Sequence, residues 1–204
     1  MFRRTRRLAL ISAIAASAVI LSACTGTAEP EATAPVGDPD PDAMLQVGLV
    51  LEPTNLDIRR TSGAALEQIL IDNIYEGLVS RDEANEIVPR LASDYEVSAD
   101  GLTYTFTLNE GITFHSGTPL TSADVVSSYE AVRTDATLQG NAEFASVAQI
   151  TAPDPATVQI SLTAPNQDFL FSLTGPAGLV FQTGDTTDLK TAENGTGPFT
   201  LSRW

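Results

Sequence analysis

The residues best suited to acid–base chemistry lie close together in the middle of this 204-residue chain. His115 and Ser116 are adjacent, and Ser122 and Asp124 follow shortly after them. A serine, a histidine and an aspartate form a nucleophilic triad when the fold brings them into hydrogen-bonding contact. Neither serine lies in the Gly-x-Ser-x-Gly pattern that typically exposes such a nucleophile. We therefore expect no enzymatic activity, and we interpret His115 as a structural turn residue.

The sequence also lacks the residue patterns of metal and phosphate sites. His115 is the only histidine, and one histidine cannot supply a multi-histidine metal site. The acidic residues are scattered, without the spacing of a calcium-binding loop, which is typical of a solvated surface. The glycine-rich stretches at 175–178 and 195–197 are not followed by the Lys-Ser/Thr pair of a phosphate-binding loop. We expect neither a metal nor a cofactor.

Cys24 is the only cysteine, and it follows a segment that has the character of an export signal. Four arginines lie within positions 3–7, and residues 8–23 are apolar or small and uncharged. A basic head stays on the cytoplasmic side while such an apolar run enters the translocon, so we predict a signal peptide over 1–23. Leu21-Ser22-Ala23-Cys24 matches the bacterial lipobox, which implies diacylglyceryl transfer to the Cys24 sulfur and cleavage before it. The alternative is an amino-terminal anchor helix with an incidental cysteine.

The composition of the remaining chain indicates an acidic protein. Residues 1–23 contain four of the 11 basic residues and none of the 26 acidic ones, so seven basic residues and a net charge of −19 remain. A chain this acidic is not expected to bind nucleic acid through a basic patch. With Cys24 lipidated, no thiol is left for a disulfide, a thiolate metal site or a nucleophile. Residues 24–44 are acidic and rich in proline, which predicts a flexible tether.

The apolar pattern after the tether predicts strands and helices that do not alternate regularly, hence a mixed α/β fold. Residues 45–51 form an apolar run that ends at Glu52-Pro53, which is typical of a buried strand. Apolar residues at helical spacing predict a helix over 65–78. Asp100-Gly101 tolerates positive φ and predicts a hairpin turn before the alternating strand 102–108.

The second half of the chain adds further predicted elements. Thr121 and Asp124 have the spacing of a helix cap, and apolar residues through Val132 would form the buried face of that helix. A strand pair is predicted at 146–150 and 157–162, and a short helix at 169–173.

Short motifs also follow one another in a characteristic order along residues 45–204. They are Asn55-Leu56-Asp57, Ile74-Tyr75-Glu76-Gly77-Leu78, Pro89-Arg90-Leu91-Ala92, Tyr95-Glu96-Val97, Asp100-Gly101-Leu102-Thr103-Tyr104-Thr105-Phe106-Thr107-Leu108, Phe114-His115-Ser116-Gly117-Thr118-Pro119-Leu120-Thr121, Asp124-Val125-Val126, Pro153-Asp154-Pro155 and Gly195-Thr196-Gly197-Pro198-Phe199. This ordered set resembles the extracellular solute-binding proteins of family 5, the dipeptide- and oligopeptide-binding lipoproteins of ABC importers. Two departures are Asn109-Glu110, where the family usually has a basic residue and then an acid, and Leu56-Asp57-Ile58 in place of Leu-Asp-Pro.

The resemblance implies a periplasmic-binding-protein type II-like fold. Family members are more than twice as long, so this chain would contain an incomplete first lobe, with the second lobe missing. Residues 45–60 and 180–204 would be pieces of the main subdomain of the first lobe, and 61–179 would be its inserted subdomain. A fragment, a broken gene and one half of a split gene are all compatible with the sequence.

The resemblance further implies a function by closure, in which two lobes hinge over a solute and the closed form docks on an ABC permease. We expect a monomeric, peptide-binding lipoprotein for transmembrane transport, held by its lipid at the outer face of the cytoplasmic membrane, in the periplasmic space or at the cell surface. The alternatives are a truncated, non-transporting fragment and a family member that binds a nickel chelate or a sugar.

The family's ligand contacts map onto four residues of this sequence. The loop after the first strand corresponds to Thr61, Ser62 and Gly63, and the segment after the capped helix corresponds to Asn141. These four residues are the predicted ligand contacts. The alternative for residues 61–63 is an ordinary loop at the entry to a helix.

Overall fold

The structure is a computed structural model that describes residues 44–204. The predicted signal peptide (1–23), Cys24 and the tether up to residue 43 lie outside the described residues. The secondary structure lies within the unit 48–204. Its elements in chain order are α1 (Ala64–Leu70), β1 (Val79–Arg81), β2 (Ile87–Pro89), β3 (Ala92–Val97), β4 (Thr103–Leu108), α2 (Ser122–Thr134), a 3-10 turn (Ala142–Ser146), β5 (Val147–Asp154), β6 (Thr157–Leu162), α3 (Phe169–Ser172) and a second 3-10 turn (Pro176–Gly178).

The largest sheet has four antiparallel strands in the order β3-β4-β6-β5, and β1 pairs separately with β2. The predicted hairpin is confirmed as β3–β4, with Gly101 at a φ of +69° in the turn. Alternation along β4 buries Tyr104, Phe106 and Leu108, as the sequence predicted. The strand pair β5–β6 and the short helix α3 are confirmed as well.

Helix α2 packs on this sheet and begins at the predicted cap. The backbone N–H and the hydroxyl of Thr121 each donate to the Asp124 carboxylate at 2.9 Å, which satisfies an amide that the helix leaves unpaired. Val125, Tyr129 and Val132 are buried and face the sheet side of the core. The Tyr129 hydroxyl donates to the Gly178 carbonyl at 3.0 Å, so this buried polar group is also satisfied.

The strand predicted over 45–51 is wrong. The structure has no strand there, and Leu49, Val50 and Leu51 are 40%, 100% and 68% exposed. A strand is stabilised by hydrogen bonds to a neighbouring strand, and none of the other described segments pairs with this one. Apolar composition alone therefore does not produce a strand here.

The helix predicted over 65–78 is too long. Helix α1 ends at Leu70, and the chain then turns at Asp72, which has a φ of +62°. Ile74 and Tyr75 are nevertheless buried, so an irregular buried segment continues the apolar spacing of the helix. Gly77 does not end a helix. It lies where a Cβ atom would come within 2.9 Å of the Gly178 carbonyl oxygen.

The buried apolar residues form two clusters. The larger cluster lies between the four-stranded sheet, α2 and α3, and includes Phe106, Tyr129 and Phe144. The smaller cluster joins α1 to the segments on either side of it and includes Leu56 and Tyr75. Within residues 44–204, no helix has both the length and the apolar character that are needed to cross a membrane.

The burial of Phe106 can be tested by truncation. Phe106 is fully buried, so Phe106→Ala should lower the free energy of unfolding by roughly 3–5 kcal/mol, measured by urea denaturation. Val97→Ala is the control, because Val97 is 44% exposed and its truncation should cost less than about 1 kcal/mol. Similar losses for the two variants would show that the burial of β4 is wrong.

Candidate functional site

An open cleft of about 300 Å³ lies between two segments of the chain, residues 57–60 and residues 181–189. We refer to it as the Arg59 cleft. Arg59, Arg60 and Phe181 line it together with Asp185 and Asp57, so both signs of charge face the same space. Such a mixture of charges around an aromatic ring suits a small polar solute better than an apolar one.

The first wall of the cleft is shaped by a turn at the Asn55-Leu56-Asp57 motif. The Asn55 side-chain oxygen accepts from the Asp57 N–H at 2.9 Å and from the Thr61 hydroxyl at 3.1 Å. The Asp57 carboxylate accepts in turn from the Arg59 N–H at 3.2 Å. Asparagine and aspartate favour such turns because their short side chains reach their own backbone.

The second wall is fixed by helix α2. The Ser128 hydroxyl accepts from the Phe181 N–H at 2.9 Å and donates to the Phe181 carbonyl oxygen at 3.2 Å. The Asp124 carboxylate accepts from the Thr183 N–H at 2.9 Å. Asp124 thus caps α2 and also holds the cleft wall, which gives the aspartate of Asp124-Val125-Val126 two structural roles.

A column of one glycine and three side chains leads to the cleft, in the order Gly195, Tyr75, Phe181 and Arg59. Its last two members also line the cleft. A Cβ atom on Gly195 would lie 3.2 Å from the Tyr75 ring. The Tyr75 ring packs against the Phe181 ring in a tilted arrangement, with 4.8 Å between the centroids and 41° between the ring planes. The Arg59 guanidinium lies over the Phe181 ring, with its central carbon 4.8 Å from the ring centroid. Such cation–π contacts are attractive, and they become stronger as water is removed.

Burial changes the acid–base properties of two members of this column. It lowers the pKa of Arg59, and the neighbouring positive charge of Arg60 acts in the same direction. It raises the pKa of the Tyr75 hydroxyl, which stays protonated at any physiological pH. The Tyr75 oxygen is buried and has no hydrogen-bond partner among the described residues.

The Gly195-Thr196-Gly197-Pro198-Phe199 motif forms hydrogen bonds with the backbone of residues 73 and 74, which directly precede Tyr75 of this column. The Gly197 N–H donates to the Ile74 carbonyl oxygen at 2.9 Å, and the Phe199 N–H donates to the Asn73 carbonyl oxygen at 3.0 Å. Any Cβ atom on Gly195 would lie 1.7 Å from the Ile74 carbonyl oxygen, so only glycine fits. We refer to this set of contacts as the glycine contact. The motif is visible in the sequence, but its contact with residues 73 and 74 could not be predicted from it.

His115 connects its own motif, residues 114–121, to the motif that contains Gly195 and Gly197. Its Nδ1 is 2.5 Å from the Glu193 carboxylate, and its Nε2 is 2.8 Å from the Gly197 carbonyl oxygen. Both partners are acceptors, so the ring satisfies both only as an imidazolium that donates from each nitrogen. Burial by itself lowers the pKa of His115, but the hydrogen bonds to Gly197 and Glu193 and the negative charges of Glu193 and Glu76 outweigh it. The pKa is therefore raised. These contacts agree with the structural role predicted for His115.

The serines near His115 do not form a triad with it. The Ser116 hydroxyl is 2.7 Å from the Gln182 side-chain oxygen, and the Ser122 hydroxyl donates to a backbone carbonyl at the end of β5 at 2.6 Å. Within residues 44–204, no group of three or more histidine, cysteine or acidic residues could hold a metal ion.

The predicted ligand contacts lie on two neighbouring segments. Thr61, Ser62 and Gly63 directly precede α1, and Asn141 lies at the start of the first 3-10 turn. The segments meet where the Gln139 N–H donates to the carbonyl oxygen of residue 59 at 2.7 Å.

Two of the four predicted contacts already have partners within the protein. The Asn141 amide donates to the carbonyl oxygens of Val132 and Arg133, at 2.7 and 3.2 Å, at the end of α2. The Thr61 hydroxyl donates to Asn55. Ligand contact by Thr61, Ser62, Gly63 and Asn141 stays a prediction. Sequence reasoning missed Arg59, although two adjacent arginines stand out in so acidic a chain.

Comparison with known proteins gives a family match. The sequence model of the bacterial extracellular solute-binding proteins, family 5 Middle, matches residues 86–204. A glutathione-binding protein of Pectobacterium atrosepticum is 31% identical over 168 residues, which cover 80% of this chain and 32% of that protein. Protein XP55 of Streptomyces lividans is 31% identical over 210 residues, which cover 99% of this chain and 38% of that protein. The chain thus spans about a third of the length of these curated relatives.

Solved structures give the same picture of the fold. The binding protein AgaA from A. tumefaciens R10, in complex with agropinic acid, matches with a TM-score of 0.69 and 31% identity over 75% of this chain and 32% of its own. The Escherichia coli murein tripeptide binding protein matches with a TM-score of 0.64 and 27% identity over 75% of this chain and 34% of its own. The predicted mixed α/β fold of the periplasmic-binding-protein type is therefore confirmed for the three quarters of this chain that these structures cover.

The glycine contact predicts that position 195 tolerates no side chain. Gly195→Ala places a methyl group on the Ile74 carbonyl and should lower the free energy of unfolding by more than about 3 kcal/mol. Gly48→Ala is the control, because nothing lies within 4 Å of a Cβ atom there, and it should change stability by less than about 0.5 kcal/mol. Equal denaturation midpoints for the two variants would contradict the contact.

The His115 contacts predict a stability that depends on pH. Because the folded pKa is raised above the usual 6.5, the stabilisation is fully present below about pH 6.5 and is lost as the pH rises through the folded pKa. Each unit by which the pKa is raised is worth about 1.4 kcal/mol. His115→Gln should therefore destabilise the protein more at pH 6 than at pH 9 in urea denaturation.

A matched control for this effect is Ser116→Ala, which removes a neighbouring hydrogen bond to Gln182 but no titrating group. Its loss of stability should be the same at both pH values. If the difference in unfolding free energy between the wild type and His115→Gln did not change with pH, the imidazolium would not be the stabilising form.

Proposed function

We propose, because the chain belongs to the bacterial extracellular solute-binding proteins of family 5, that it forms one wall of the solute-binding cleft of an ABC-importer receptor. The observation that carries this proposal is the family match over residues 86–204, more than half of the chain. The Arg59 cleft supplies a concave polar surface for such a role. In this proposal the chain binds its solute and does not transform it.

Capture requires a second surface that closes over the solute. The curated relatives are about three times as long as the matched region, which leaves room for a second lobe in those proteins. In this chain, residues 45–60 and 180–204 would belong to the main subdomain of the first lobe and residues 61–179 to an inserted subdomain. The smaller apolar cluster contains Leu56 from the first of these ranges and Leu179 from the inserted range, so the two proposed subdomains would share apolar packing across their boundary. The closed form would then dock on the permease.

A small peptide is the solute that we propose. Two relatives are described as binding glutathione and murein tripeptide, and both molecules are peptide-like. The second candidate is a different small acid, because AgaA is in complex with agropinic acid and has the same sequence identity as the glutathione-binding relative. A nickel chelate, a sugar and a truncated form that transports nothing are the remaining alternatives.

We further propose that Cys24 carries a lipid that anchors the protein at the outer face of the cytoplasmic membrane. Two acyl chains on one cysteine contribute about 0.8 kcal/mol per buried CH₂ group, which suffices for stable attachment. An acidic tether over 24–44 would keep the binding wall in solution. Family 5 proteins are extracellular, which supports export.

The anchor is tested by Cys24→Ser. The variant should appear in the medium or stay unprocessed, as followed by membrane fractionation and by the mass of the mature amino terminus. Ser22→Thr, which keeps Cys24, should stay with the membrane. Normal cleavage with unchanged membrane retention of the Cys24→Ser protein would refute lipid attachment.

Solute binding is tested by calorimetry on this chain with a mixed library of dipeptides to pentapeptides. An open wall leaves most of a ligand in water, and association costs several kcal/mol of translational and rotational freedom. We therefore expect weak binding or none. A dissociation constant near about 1 μM for the chain alone would contradict capture by closure, because it corresponds to about 8 kcal/mol from one wall.

A further inference from the structure

The Arg59 guanidinium lacks the hydrogen-bonding partners that four other arginines among residues 44–204 have. A guanidinium carries five N–H donors. None of the donors of the Arg59 side chain reaches a hydrogen-bond acceptor or an ion-pair partner within residues 44–204. The contrast is with four other arginines whose side chains do have partners: Arg60 with Asp135, Arg81 with Asn85, Arg90 with Glu76 and Arg133 with Glu130.

The unpartnered guanidinium is also held in place. The backbone of Arg59 is fixed on both sides, since its N–H donates to the Asp57 carboxylate at 3.2 Å and its carbonyl oxygen accepts from Gln139 at 2.7 Å. The guanidinium lies over the Phe181 ring, 4.8 Å from its centroid. Arg59 also lines the cleft, so its free N–H donors are available to an occupant of that space.

A partly buried cation without a partner is unfavourable, and the lowered pKa of Arg59 reflects that cost. A carboxylate would remove the cost, because its two oxygens match the parallel N–H donors of a guanidinium. Arg60 cannot serve equally well. Its charge is already offset by Asp135 at 3.3 Å and by Asp57 at 3.9 Å.

We infer that Arg59 is the residue of the cleft that recognises an anion, and that it binds a carboxylate of a zwitterionic solute. This inference rests on the proposed function. Asp57, Asp185 and Asp188 line the same cleft, so a solute with only negative charge would be repelled. A solute that carries both a carboxylate and an ammonium group matches both signs, as free amino acids and small peptides do.

The test uses a pair of probes that differ only in the carboxylate. Glycylglycine carries it, whereas glycylglycinamide replaces it with a neutral amide. The ¹H–¹⁵N side-chain signals of the arginines are followed by NMR while each probe is added to the whole chain at tens of millimolar, since binding by one wall is weak. The Arg59 signal should shift saturably with glycylglycine, and the dissociation constant for the amide should be at least about tenfold higher.

Matched variants separate recognition from packing. Arg81→Gln should bind glycylglycine as the wild type does, because Arg81 bonds Asn85 and does not line the cleft, whereas Arg59→Gln should lose the saturable shifts of the backbone amides at 181–189. Arg59→Lys keeps the charge but not the paired donors, so it should bind severalfold more weakly. It also keeps the test informative if Arg59→Gln does not fold.

Three results would overturn the inference. They are equal binding of the two probes, unchanged binding in both Arg59 variants, and the absence of a saturable shift with glycylglycine. Equal binding of the two probes at the cleft would leave the proposed solute binding intact and would remove only the role of Arg59. A dissociation constant near about 1 μM in the calorimetry described above would contradict capture by closure independently of Arg59.

Discussion

Two backbone segments separated by some 120 residues can touch because the residue at the closest point is a glycine. A Cβ atom at Gly195 would lie 1.7 Å from the Ile74 carbonyl, and the hydrogen bonds of residues 197 and 199 to this segment require that approach. The contact brings Gly195 against the Tyr75 ring, which packs at a tilt against the Phe181 ring. The Arg59 guanidinium lies over the Phe181 ring in turn. The position of the Arg59 guanidinium in the cleft therefore depends on the glycine contact at the other end of the column.

The cleft combines a rigid frame with an unsatisfied charge. Its walls are fixed by backbone N–H groups that donate to the side chains of Asn55, Asp124 and Ser128, so little ordering entropy would remain to be lost when a solute binds. Leaving Arg59 without a partner costs stability in the free protein, and a bound carboxylate recovers that cost. In the proposed mechanism, a wall of this kind would provide specificity before closure, and most of the affinity would come from the surface proposed to close over the solute.

The parts of the fold that could be predicted from sequence are those set by neighbours in the chain. The β3–β4 hairpin follows from Asp100-Gly101 and the alternation beyond it, and the start of α2 follows from Thr121 and Asp124. Residues 45–51 and the end of α1 could not be predicted, because each depends on whether a distant segment is present to pair or pack. The same holds for His115 and Glu193, which lie 78 residues apart. The unpaired state of Arg59 also requires coordinates, since the sequence does not show which acid pairs with which arginine.

Amide hydrogen exchange tests the glycine contact most directly, because it reports on individual N–H groups in the whole chain. The amides of Gly197 and Phe199 donate to the carbonyl oxygens of Ile74 and Asn73, so they should exchange about as slowly as the central amides of β4. The amides of residues 49–51 are exposed and should exchange at the rate of an unstructured peptide. If Gly197 and Phe199 exchanged as fast as residues 49–51, the contact would not hold the Tyr75–Phe181–Arg59 column, and the account of the cleft would be wrong.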